Sequence, residues 1–303
     1  IEKSFSKPIT EIKKKLLKQR SKRNRPLRDE KYITGWNALM ASAMIKGYIQ
    51  TKHIPYLYAA SGAISFIEKR MIKNNQLFRR FKDGEVKYSG TLDDYAYTIQ
   101  ALIDYYQVSF NSKWIELAIR LQEIQIQNLW SKNLKAFYYA KQSDLIVKSV
   151  DLSDNARPNA NAVSCLNLLK LYSFSYDKKY KLMAKQILNN HIAKARKYPR
   201  SYGQLLLALD YYNNNPKEIA IIGNEISGEK NNLVELFQQE YYPNAVISYS
   251  HPGKKDILPL LKDKTMIKNK STAYVCENKQ CLRPTNDPKL FKQQISTIKH
   301  LSF

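Results

Sequence analysis

Apolar positions recur along this chain with a period near 3.6, the pattern of helices that bury one face. One set runs Ile33, Trp36, Met40, Ala43, Met44 and Gly47. A second is Tyr95, Ile99, Leu102, Ile103 and Tyr106, and a third is Ala162, Val163, Leu166, Leu169 and Tyr172. Each is followed by another amphipathic stretch: Leu57 to Met71, Trp114 to Asn128, and Tyr180 to His191. A further helix is predicted near Ser201–Tyr212, just after Pro199. Between the pairs the pattern changes. Leu77–Gly90 carries an Asp83-Gly84 step, the strongest short-range signal of a hairpin turn. Ala136–Val150 reads as two short strands around a polar turn. The unit helix–helix–hairpin returns every roughly 60–65 residues, too long for a short solenoid repeat. First helices are predicted to start near Lys31, Asp93 and Pro158. This fits α-hairpins whose inner and outer helices alternate around a central cavity. The predicted fold is mainly α: a partial (α/α)6 toroid with β-hairpin insertions.

After Pro216 the chain reads differently. Glu218–Gly223, Ala245–Ser250 and Thr272–Cys276 are apolar, strand-like runs; a helix is predicted near Asn231–Tyr241 and a closing one over Asp287–Ser296. The expected organisation is a basic N-terminal segment over 1–28, a toroid portion over 29–215 and a small α/β appendage over 216–303. Three to four helical pairs fall short of the six in a closed toroid, and open ends of a helical array expose apolar faces that need covering. The missing part is therefore expected from an upstream segment or a separate chain, and the lack of an initiator Met agrees with a truncated or split chain.

Composition narrows the picture. The chain has 303 residues, 44% of them hydrophobic, with 9 Gly and 11 Pro, which favours helices over a turn-rich all-β fold. Tyr is abundant at 22 against 10 Phe; such rings suit a wet, aromatic-lined cleft, and equally a composition rich in Lys, Asn and Ile. The net charge is +24. About a third of it lies in Ile1–Lys31, with about 12 Lys and Arg against about 4 acids. The remainder is spread as single lysines on helix faces. No zinc-finger spacing, RNP-like strand or helix-turn-helix accompanies it, so nucleic-acid binding through the basic arm ranks last. There is no 18-residue apolar run and no apolar signal core, so a cytoplasmic, non-membrane protein is expected. Cys165 reads as a small core residue. Cys276 and Cys281 have four residues between them, which leaves inert thiols, a regulatory disulfide or a metal ligand pair open. No metal or cofactor is expected.

Four ordered segments carry a family resemblance: Arg25–Met40 (RPLRDEKYITGWNALM), Leu92–Tyr97 (LDDYAY), Ser153–Val163 (SDNARPNANAV) and Ala273–Pro288 (AYVCENKQCLRPTNDP). Over about Arg25 to Leu290 the chain resembles the C-terminal module of the thioredoxin-domain-containing family that includes spermatogenesis-associated protein 20. The resemblance implies an N-terminal thioredoxin-like domain followed by a six-hairpin, glycosidase- or epimerase-like barrel. It makes a thioredoxin-like domain, covalent or separate, the expected partner. The chain departs from the family pattern at Leu129–Tyr139, where Ser131, Lys135 and Ala136 replace an acidic residue and a Gly-Gly pair. It departs again at Asn159-Ala160-Asn161-Ala162, where Ser-Gly-Asn-Ser is common.

If every hairpin returns the chain to one side, the inner helices start on a common face, with unpaired N–H groups and positive dipole ends toward the cavity mouth. Glycosidic chemistry needs a general acid and a second carboxylate across the bond. Asp94, then Asp29 and Asp154, are the candidate catalytic acids. Asp93, Tyr95, Asn159 and Asn161 at the same starts are candidate ligand contacts. So are Trp36, which can stack on a sugar ring, Asn37, which can read hydroxyls, and Tyr88 and Tyr202 near the mouth. Each has a plainer reading: Asp and Asn at a helix start are ordinary caps, and Trp36 can be core packing. His53, His191, His251 and His300 open no inner helix, which argues against epimerase chemistry. Neither HExxH, GxSxG nor a Gly-rich phosphate loop is present. A carbohydrate-binding or carbohydrate-active module is the leading reading; a non-catalytic scaffold for a thioredoxin-like partner is the alternative.

Overall fold

The computed structural model describes residues 2–141, 150–224, 232–254 and 257–296. The chain divides into two units, Ile1–Lys31 and Tyr32–Phe303. The first holds one helix, α1 (Glu2–Arg20), with Pro8 inside it. Asp29, Glu30 and Lys31 belong to this unit and do not open the first inner helix as expected.

In the second unit, α2 (Thr34–Thr51) packs on α3 (Ile54–Phe66), which a π-helical turn extends to Met71. Then α4 (Leu92–Ser109) packs on α5 (Ser112–Leu129), and α6 (Ala160–Ser175) on α7 (Lys178–Lys197), before α8 (Gly203–Asn213). Helices α2, α4, α6 and α8 also pack on one another in series, which makes them the inner row and α3, α5 and α7 the outer layer. This is the mainly helical, partial (α/α)6 toroid expected. Three of the inner helices, α2, α4 and α6, end alike: Lys52, Phe110 and Tyr176 take left-handed φ of 55°, 52° and 57°, and each returns its N–H to the carbonyl four residues back. An outer helix follows at once, capped by Asn111 on the Lys113 N–H and by Asp177 on the Lys179 N–H. Such tight turns bring each outer helix back along its inner partner.

The opposite connections are longer and carry strands. β1 (Tyr32–Ile33), β2 (Ile72–Lys73), β3 (Gln76–Lys82) and β4 (Glu85–Ser89) form an antiparallel sheet centred on β3. Lys82 faces Glu85 across Asp83 and Gly84, whose φ of 52° and 78° are both left-handed, as a two-residue hairpin turn requires. The second hairpin lies earlier than expected: β5 (Trp130–Ser131) pairs with β6 (Ala136–Phe137). Residues 142–149 of the expected hairpin lie outside the described residues.

Beyond α8, β7 (Lys217–Ile222), β8 (Ala245–Ser250), β9 (Thr272–Glu277) and β10 (Gln280–Cys281) form a sheet in the order β10-β9-β7-β8. β7 and β8 are parallel, with α9 (Asn232–Gln239) between them in sequence, and α10 (Pro288–Ser296) packs on α9. All of β7 is buried. Because side chains alternate along a strand, Ala220 and Ile222 join the helical core while Ile219 and Ile221 join a second cluster with Phe110, Tyr249, Val275 and Phe291. A strand covered on both faces reads as a continuous apolar run.

Candidate functional site

Helix α2 starts without a cap of its own, since Ile33 before it has no side chain able to accept from the first turn. The acceptor comes from 59 residues away: Gly35 donates its N–H to Asp94 Oδ1 at 2.9 Å. Asp94 is the third residue of α4, where it forms a capping box with Thr91. Its Oδ2 accepts from the Thr91 N–H at 2.9 Å, the Thr91 hydroxyl at 2.9 Å and Arg79 at 3.1 Å. None of Asp94 is exposed. Burial pushes its carboxyl up, and the donors from Thr91, Arg79 and Gly35 pull the other way without cancelling it. The contact is close at Gly35, where a Cβ would stand 3.1 Å from Asp94 Oδ1 and 3.3 Å from the Asp93 carbonyl.

The same device recurs at α8, which also lacks a side-chain cap. Asp154 Oδ2 accepts from the Gln204 N–H at 2.8 Å, and its Oδ1 from the Asn159 N–H at 2.7 Å, just ahead of α6. Asn159 caps α6 through the N–H groups of Asn161 and Ala162. Between these two knots, Asp93 Oδ2 accepts from Arg157 at 2.7 Å, and the Tyr97 hydroxyl donates to the Pro158 carbonyl at 2.6 Å. The four inner helices therefore begin at one end, tied in series by Asp94, Asp93 and Asp154.

A cavity of about 290 Å³ opens between the starts of α4 and α6. Asp93, Tyr97, Tyr139, Asp151, Arg157 and Asn159 contribute to its wall. Asp151 Oδ1 accepts from the Ser153 N–H and hydroxyl at 2.9 and 2.7 Å. Burial, with Asp93 nearby, raises Tyr97 well above the ordinary phenol range, so its hydroxyl stays protonated and serves as a donor. The wall offers carboxylates, an amide, a guanidinium and phenols close together, a set that can pair with the vicinal hydroxyls of a sugar.

The other candidates scatter. Asp29 is exposed in the N-terminal unit and accepts from the Lys31 N–H and ammonium at 3.3 and 3.2 Å. Trp36 is 57% exposed, so it is not core packing, and Asn37 donates to the Ile33 carbonyl. Tyr95 is buried, its hydroxyl 3.4 Å from the Leu77 N–H. Tyr88 lies in the solvent 5.4 Å from the Arg80 guanidinium, and Tyr202 precedes α8, half-buried. Asn161 is buried and holds β6 by both edges of its amide, on the N–H and carbonyl of Phe137. Cys276 and Cys281 face each other across β9 and β10 and form a disulfide, which corrects the reading of inert thiols or metal ligands. His300 lies outside the described residues. Arg79, Arg157, Tyr139 and Asp151 were not singled out in the sequence, although Arg157 stands inside the SDNARPNANAV segment.

Comparison with known proteins adds several likenesses. No family model matches the chain. It is 30% identical over 292 residues to spermatogenesis-associated protein 20 of Homo sapiens, covering 90% of this chain and 37% of the relative. Against the Rattus norvegicus protein the identity is 28% over the same length and shares. The chain thus spans well under half the length of these relatives. Among solved structures, a GH76 alpha-mannanase of Bacteroides thetaiotaomicron aligns with a TM-score of 0.47 and 22% identity, over 55% of this chain and 46% of that one. A cellobiose 2-epimerase from Bacillus thermoamylovorans gives 0.46 and 16%, over 55% and 45%. Among the described residues no helix is long and apolar enough to cross a membrane.

Proposed function

We propose that this chain, homologous to spermatogenesis-associated protein 20, is a carbohydrate-binding toroid module whose ligand seats in the cavity between the starts of α4 and α6. The observation that carries this reading is the polar wall itself. Asp93 and Arg157 pair 2.7 Å apart at the cavity, beside Asp151, Tyr97 and Tyr139. A sugar hydroxyl both donates and accepts, so vicinal hydroxyls can bridge a carboxylate and a guanidinium without either charge losing its partner. Hydrolysis by the acids first nominated has less support. Asp94 has no exposed surface and both oxygens occupied, and Asp154 gives both oxygens to backbone N–H groups. A general acid must reach the glycosidic oxygen. Calorimetric titration with hexose disaccharides tests the reading: saturable binding is expected, weakened about ten- to a hundredfold by Arg157→Ala or Asp151→Ala. Absence of binding to every disaccharide would remove it.

One observation favours the scaffold for a thioredoxin-like partner. Cys276 is buried but Cys281 is exposed at the sheet edge, so an external thiolate can attack the Cys281 sulfur and release Cys276 as thiolate. A thioredoxin-type protein lacking its resolving cysteine should then be captured as a mixed disulfide on Cys281. Its failure to be captured, with the disulfide intact by non-reducing mass spectrometry, would count against the partnership.

A further inference from the structure

A second, larger cavity of about 570 Å³ lies away from the mouth. Its walls come from the later turns of α2, α4 and α6, from α8, and from the segment joining α9 to β8. Most of the lining is apolar, including Ile45, Ile49, Leu166, Leu207, Tyr211 and Ile247. Five charged residues interrupt it, Lys46, Asp104, Lys170, Asp210 and Glu240, and two of them, Asp104 and Lys170, stand together. Asp104 is only 7% exposed, and its Oδ2 is buried without a hydrogen-bond partner. Its Oδ1 stands 3.8 Å from the Lys170 ammonium, beyond hydrogen-bond length. A buried carboxylate held this loosely is costly, and in folded proteins such an orphan asks for an explanation.

We propose that this cavity binds a neutral, mainly apolar small molecule bearing one hydroxyl, of the aryl-alcohol or phenol class, with the hydroxyl set between Asp104 and Lys170. A hydroxyl is the simple group that can donate to the Asp104 carboxylate and accept from Lys170 Nζ together. An ammonium ligand would meet Lys170 and Lys46, and a carboxylate ligand would meet Asp104, Asp210 and Glu240, all on the wall. The apolar lining takes the remainder, within the size range of small-molecule sites. Burial, with Lys46 adding to it, draws the Lys170 ammonium below its ordinary range despite Asp104, so a ligand oxygen accepting from it would relieve a poorly solvated charge. This site is separate from the sugar-binding mouth and stands or falls independently of it.

The test is titration of the whole chain with 2-naphthol, followed by its fluorescence, against naphthalene as the partner lacking the hydroxyl. Saturable 2-naphthol binding is expected, at least about tenfold tighter than that of naphthalene. The Asp104→Leu/Lys170→Met double variant replaces the pair with apolar side chains of similar size, a change that folded proteins commonly tolerate. It should keep naphthalene binding and lose the preference for the hydroxyl. Leu207→Arg, on the cavity rim, should abolish binding of both probes while leaving the melting curve in place. Equal affinity of the native chain for the two probes, or no binding of either, overturns the proposal. So does a preference that survives in the double variant. If the double variant does not fold, the native preference and Leu207→Arg still decide.

Discussion

The two ends of the inner helices treat carboxylates in opposite ways. Where the helices begin, Asp94, Asp93 and Asp154 are each held by donors, and five of those donors are N–H or hydroxyl groups of Gly35, Thr91, Asn159 and Gln204. Toward the other end, Asp104 keeps an oxygen without a partner, and Glu218 is buried against the left-handed turn that closes α6. At the first end Asp94 and Asp154 have both oxygens occupied and so read as architecture, which leaves the Asp93–Arg157 pair to meet a ligand; toward the second end Asp104 retains an unsatisfied oxygen beside an apolar hollow. Acidity near a helix start therefore reports little about catalysis until the partners of each oxygen are counted.

Removing Asp94 should produce the largest effect. Asp94→Ala leaves the Gly35 and Thr91 N–H groups and the Arg79 guanidinium without their acceptor, deep in the α2–α4 contact. A loss of about 3–5 kcal/mol is expected in urea unfolding. If the loss were below about 1 kcal/mol, the Asp94 knot would not be structural, and a catalytic part for Asp94 would regain ground. Gly35→Ala probes the same knot from the other side. Its new Cβ meets Asp94 Oδ1 and the Asp93 carbonyl, neither of which can retreat easily, so about 1–3 kcal/mol is expected from overpacking. An unchanged unfolding midpoint would show that α2 and α4 can slide apart at no cost.

The comparison also explains what the sequence could disclose. The helical pairs were legible because their apolar faces repeat with the helical period, and the Asp83-Gly84 turn because its two residues tolerate left-handed φ. The turns ending α2, α4 and α6 were not, because Lys52, Phe110 and Tyr176 occupy positions where glycine is the usual sign. Phe110 stays there by burying its ring against Tyr249, 5.7 Å away. The start of α2 was placed too early, at Asp29–Lys31, because those residues look like a local cap. The actual cap reaches Gly35 from α4, and α8 is capped likewise from Asp154. A cap supplied from a distant part of the chain leaves no local pattern. Acids that tie helices together and acids that cleave bonds look alike in one dimension, so the positions were visible and the roles were not.

The smallest effect, and the one that sharpens the contrast best, concerns Glu218. It is 1% exposed on β7 and accepts from the Tyr176 hydroxyl at 3.0 Å and the Lys279 N–H at 3.1 Å. Burial raises its carboxyl above the ordinary glutamate value of 4.5, and those two donors only partly offset the rise. A carboxyl raised on folding binds its proton more tightly in the native state, so its contribution favours the native state at low pH and is lost as pH climbs through the raised value. Glu218→Gln keeps an oxygen that can accept both bonds and removes the titration. At neutral pH the variant should be at least as stable as the native chain, and the gap should close as pH falls through the raised value toward 4.5 and below. Paired urea melts across that range check it. Asp94→Asn should instead be the less stable chain at neutral pH, because both Asp94 oxygens accept from donors and an amide nitrogen in place of either can accept from none. A Glu218→Gln variant that is also destabilised there would mean the far end is as firmly satisfied as the near one, and the asymmetry between them would be gone.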